Sequence, residues 1–163
     1  HSNEEALEVI LMAIEQAGYR PGEDMYLGLD AAASEFYDNG TYRLAAEAKA
    51  ERSADDMIAW YQELVAKYPI LSLEDGLAEQ DWSGWQKLTT ALGKRVQLVG
   101  DDIFVTNTAI LSRGIREGVI GRVLRDRLEQ ECATDRKHAD GGDQALQQQA
   151  IRHAAPRAMS GVT

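Results

Sequence analysis

The sequence predicts an α/β fold, a parallel sheet covered by helices, on three observations. Short apolar segments alternate with segments of helical periodicity, each apolar segment is nearly continuous, and each ends on a carboxylate. Nearly continuous apolar strands separated by helices indicate a parallel sheet buried on both faces. The spacing alone leaves open whether that sheet is open and doubly wound or part of a barrel.

The first element is a helix in "SNEEALEVILMAIEQAG". Ser2 with Glu5 three residues on forms a capping-box pattern, Leu7, Ile10, Leu11 and Ile14 share one face, and Gly18 ends it. Met25 to Leu29 reads as a short buried strand ended by Asp30. A small excursion follows, with an Asn39-Gly40 turn between short strands. Ser53 and Asp56 open a second helix carrying Met57, Tyr61, Leu64, Val65 and Tyr68, which Pro69 blocks. The second strand, Ile70 to Leu73, ends on Glu74 and Asp75. Asp81 then caps a helix bearing Trp82, Trp85, Leu88 and Leu92, and Gly93 stops it. The third strand lies in "VQLVGDD", Val96 to Asp102. Asn107 caps a last helix with Ile110, Leu111 and Ile115, closing near Gly118. The order is a preceding helix and then three strand-helix units.

Composition divides the chain in two. All eleven aromatics lie between Tyr19 and Phe104, and residues 121–163 are polar, with "DGGD" at their centre. That tail holds six acids and seven Lys or Arg, which leaves a net charge of −11 on residues 1–120 out of −10 for the whole chain. We expect residues 1–120 to form the domain. The tail, residues 121–163, is expected to diverge from it, irregular or helical (Val123 to Cys132), disordered, or produced by a shifted reading frame. An acidic body disfavours nucleic acid and anionic membranes as partners. There is no apolar run of the ~20 residues a membrane span needs. The lone Cys132 closes no intrachain disulfide, and no export signal opens the sequence, so a cytoplasmic location is expected.

The regularity that carries chemistry is the acid after each strand: Asp30 after "MYLGL", Glu74 after "ILSL", Asp101 after "VQLVG". Parallel strands point the same way, so these carboxylates gather at the sheet edge where α/β proteins build their sites. Their mutual repulsion raises their pKa values and destabilises the fold unless a cation neutralises them. Oxygen-only ligands suit a hard ion such as Mg²⁺. The competing reading has one or two of these acids capping the next helix. Asp75 and Asp102, adjacent to two of the proposed ligands, read as supporting acids or caps rather than direct ligands. Ser34 and Glu35 read equally as site rim or loop-ordering residues. Trp60, Trp82 and Trp85 read as packing residues, Lys67, Lys87 and Lys94 as solvated surface, and His138 and His153 as exposed tail residues.

Three stretches, "LDAAASEFY", "YPILSLEDGLAEQDWSGW" and "VQLVGDDIFVTNT", resemble in order and spacing the signature segments of enolase, phosphopyruvate hydratase. The resemblance runs from Ser2 to about Ile120. It implies an enolase-type TIM-like barrel, here as about three consecutive strand-helix units with a preceding helix. It further implies a Mg²⁺-dependent lyase that dehydrates 2-phosphoglycerate to phosphoenolpyruvate in glycolysis. Asp30, Glu74 and Asp101 match the family's Mg²⁺ ligands, and the resemblance also implies that Glu74 and Asp101 face substrate. The sequence departs from the family in three places. The N-terminal domain with the proton-donating glutamate is not represented, Asp126 stands where an ungapped alignment expects the base lysine, and the phosphate-gripping serine-histidine-arginine stretch has no counterpart. The expectation is therefore that no catalytic acid or base is present and that this chain alone is inactive. The alternative is a non-catalytic chain with at most weak cation or partner binding. Unpaired sheet edges would favour a homo-oligomer or association with other chains.

Overall fold

The computed structural model describes residues 2–119. Cys132, Asp126, His138, His153 and the expected tail helix lie outside the described residues.

Helix α1 (Asn3–Gln16) starts where Ser2 Oγ accepts the Glu5 N–H at 3.2 Å. Strand β1 (Leu27–Asp30) follows. It begins two residues later than the expected start at Met25, because Met25 and Tyr26 are exposed and Met25 only bridges to Pro21. After a single 3₁₀ turn (Ala33–Phe36) the excursion forms an antiparallel ribbon of β2 (Tyr37–Asp38), β3 (Thr41–Arg43) and β4 (Glu51–Arg52). Asn39 and Gly40 both have positive φ, +47° and +88°, as a two-residue hairpin turn requires.

Helix α2 (Ala54–Lys67) opens on a full capping box: Ser53 Oγ accepts the Asp56 N–H at 3.2 Å, and Asp56 Oδ2 accepts the Ser53 N–H at 3.0 Å. Its apolar stripe of Met57, Ile58, Tyr61 and Leu64 is buried. Strand β5 (Ile70–Glu74) leads to helix α3 (Trp82–Leu92), capped by Asp81 and burying Trp85, Leu88 and Leu92. Strand β6 (Gln97–Val99) and helix α4 (Thr108–Glu117), capped by Asn107, complete the described chain.

The main sheet is parallel in the order β1-β5-β6, with α2 and α3 in the crossovers. Leu73 in β5, Met57 in α2 and Leu88 in α3 are fully buried in one core. Burial stabilises each by roughly 1.5–3 kcal/mol relative to exposure. Tyr68 joins α1 to the end of α2, since its one hydroxyl proton is shared between Glu4 Oε1 at 2.9 Å and Glu8 Oε1 at 3.2 Å. Trp85 lies in the core. Trp60 and Trp82 are half-buried, each with an arginine guanidinium, Arg52 and Arg113 respectively, over the ring. None of the described helices is long and apolar enough to cross a membrane.

Candidate metal centre

The register of the main sheet sets which acids meet. Asp30 pairs with Glu74 across β1 and β5, and Glu74 pairs with Val99 across β5 and β6, so the three strands end nearly level. Three backbone bonds continue this pairing past the strands: Ala31 N–H to Glu74 O, Ala33 N–H to Asp75 O and Asp75 N–H to Val99 O, all 3.0 Å. Asp30 and Glu74 therefore stand side by side because strand pairing puts them there.

The turn after β6 brings in Asp101 and Asp102. It begins at Gly100, where a Cβ would lie 2.5 Å from Ile103 Cγ2 and 2.7 Å from the Phe104 ring, so glycine is what lets the turn fold back on its own apolar residues. Asp75 then receives the turn. Its Oδ1 accepts the Asp101 N–H at 3.0 Å and its Oδ2 accepts the Asp102 N–H at 3.1 Å.

Among the described residues, Asp30, Glu74 and Asp75 each bring a carboxylate oxygen within 4.8 Å of the other two. Asp101 is not one of this close group, although its charge acts on Glu74. Burial, and then the charges of Asp30, Asp75, Asp101 and Asp102, hold the Glu74 carboxyl above its ordinary pKa. Burial likewise raises Asp75, while the N–H groups of Asp102 and Asp101 pull it down. Among the described residues, none of the ion pairs involves any of these five acids. A cluster of carboxylates that shares an edge without a basic partner, and in which Glu74 and Asp75 are held above their ordinary pKa, matches the donor chemistry of a hard divalent cation.

Residues 1–130 match the family described as Enolase, C-terminal TIM barrel domain. The chain belongs to the enolase C-terminal barrel family. The match covers most of the 163 residues and runs beyond the sequence resemblance, which ends near Ile120. The parallel β1-β5-β6 sheet with its crossover helices is the arrangement of consecutive strand-helix units in such a barrel domain. The acidic edge lies at the carboxyl ends of these parallel strands, the edge at which barrel domains generally build their sites.

Around the acids, the loops after β1 and β5 are sewn together. Ser34 Oγ accepts the Glu79 N–H at 3.0 Å, a loop-ordering contact. Tyr42, fully buried in β3, donates its hydroxyl to Asp81 Oδ2 at 2.8 Å and accepts the Ala78 N–H at 3.1 Å. Burial pushes the Tyr42 phenol well above its ordinary pKa, so it remains a neutral donor. Sequence reasoning read Asp81 as a cap, and it is one, through the Gly84 N–H at 2.9 Å. The reading missed Tyr42 as its second partner. Lys67 and Lys87 lie on the surface, paired with Glu4 and with Asp55.

Proposed function

We propose that Asp30, Glu74 and Asp101 hold Mg²⁺ at the sheet edge, and that this edge is the metal-binding part of an enolase-type lyase site. The reaction in which it would serve is the dehydration of 2-phosphoglycerate to phosphoenolpyruvate. The observation that carries the reading is the convergence of carboxylates on one edge of a barrel-family sheet, without basic partners among the described residues.

Bound there, a divalent cation supplies positive charge to stabilise the additional negative charge that builds on a substrate carboxylate when its α-proton is removed. The chain's own residues do the holding. Asp30 and Glu74 are fixed by strand register, and Asp101 is fixed by the turn that Asp75 receives. Glu74 and Asp101 would face substrate from this position, as the family resemblance implies. Proton transfer needs a base and an acid, and these three carboxylates supply neither role while they serve as ligands.

A second reading is a non-catalytic chain that binds a cation or a partner weakly. The observation favouring it is Asp126 at the position where the base lysine is expected. One assay tests the second reading: phosphoenolpyruvate formation from 2-phosphoglycerate, with Mg²⁺, by the purified chain. We expect no turnover by the chain alone, and measurable turnover would reject the second reading. Mg²⁺ should raise the melting temperature, and Asp30→Ala should abolish that rise. An unchanged shift in the variant would reject Asp30 as a ligand.

A further inference from the structure

We propose that Asp75 is the positioning residue of this edge, fixing the spacing of all three strand ends and thereby of the carboxylates they carry. The inference rests on the Mg²⁺ reading above for its consequence, though its geometry is independent of it.

Asp75 makes four hydrogen bonds to three different segments. Its N–H donates to Val99 O at the end of β6, and its C=O accepts the Ala33 N–H beyond β1, both at 3.0 Å. Its two carboxylate oxygens separately accept the N–H groups of Asp101 and Asp102. It is the sole buried acidic or basic residue among the described ones, at 4% exposure, whereas Asp30 and Asp101 are exposed. The backbone of Asp75 is left-handed, φ +43°, a conformation Asp tolerates better than most residues but at a strain of order 1–3 kcal/mol. Such strain persists only where the surroundings over-determine it. Here the four bonds do so.

The chemistry requires a carboxylate. Two N–H donors arrive at two separate oxygens, so an asparagine would satisfy one and set its own NH₂ against the other. A part-buried N–H that loses its acceptor must turn to water, which opens the turn. Neighbouring Asp102 contributes the same formal charge, but its backbone N–H is held by Asp75, which makes it the control for charge alone.

The test compares the wild-type chain with Asp75→Asn and Asp102→Asn, using Mg²⁺ alone as the probe. Calorimetric titration should show Mg²⁺ affinity at least tenfold weaker in Asp75→Asn and within about threefold of wild type in Asp102→Asn. In the metal-free state, amide exchange at residues 101 and 102 should be at least tenfold faster in Asp75→Asn. If those amides stay protected, or if wild type binds Mg²⁺ and the two variants bind it equally, the positioning role is overturned. If wild type binds no Mg²⁺ while the amides still open in Asp75→Asn, the metal reading fails and the positioning of the strand ends stands. Should Asp75→Asn not fold, through-hydrogen-bond couplings from amide nitrogens 101 and 102 to the Asp75 carboxyl carbon in wild type decide the question. Their presence supports the clamp and their absence rejects it.

Discussion

Glu74 sits between Asp30 and the Asp101-Asp102 turn, and its raised pKa is a statement about stability. A carboxyl whose folded pKa lies above its unfolded value binds its proton more tightly in the native state. Its contribution is favourable below the ordinary value of 4.5 and is lost as pH rises through the raised native value. At neutral pH Glu74 therefore destabilises the metal-free chain, and removing its charge should help. We expect Glu74→Gln to raise the metal-free melting temperature at pH 7, to show a smaller gain than wild type on acidification, and to lose the Mg²⁺-dependent rise. Thermal melts across pH 4 to 8, with and without Mg²⁺, check all three. A lower metal-free melting temperature in the variant would mean that the Glu74 carboxylate has a stabilising partner outside the described residues.

One hydroxyl ties the ribbon of β2, β3 and β4 to the loop before α3. Tyr42 Oη joins β3 to the loop between β5 and α3, satisfying both the Ala78 N–H and Asp81. Replacing Tyr42 with Phe leaves that N–H and Asp81 Oδ2 without their partner, at a cost of about 1–3 kcal/mol. We expect a destabilisation of that size by urea denaturation, with α2 and α3 intact by circular dichroism. A neutral result would mean that water replaces the hydroxyl. Elements of this kind explain what could be read in advance. Helix caps at Ser2, Ser53, Asp81 and Asn107 depend on residues two or three positions away, so the sequence displays them directly. Strand β4 is two polar residues, Glu51 and Arg52, whose pairing comes entirely from β3, and no local pattern marks it. The acids after each strand were legible for the same local reason. That Asp75 rather than Asp101 lies closest to Asp30 and Glu74 was not, because the turn after β6 is placed by bonds across 26 and 27 residues of sequence.

At the scale of the whole molecule, the parallel sheet distributes stability unevenly. Strand β5 has a hydrogen-bonded neighbour on both sides, β1 and β6, and lies over the core formed by Met57, Leu73 and Leu88. Among the described residues, β1 and β6 each have a neighbour on one side only. Opening either outer strand exposes one ladder, whereas opening β5 breaks two ladders and uncovers the core, so the free energy of opening should be highest there. Native-state hydrogen exchange should place the slowest amides in β5, in Ile70–Glu74, ahead of those in β6. In each outer strand, amides directed away from β5 should exchange within the range of exposed loops. Slow exchange at those outward amides would show that another strand pairs with the edge, from the rest of this chain or from a second copy. Repeating the measurement at two protein concentrations separates these sources: protection that grows with concentration belongs to association, and protection that does not belongs to the chain's own fold.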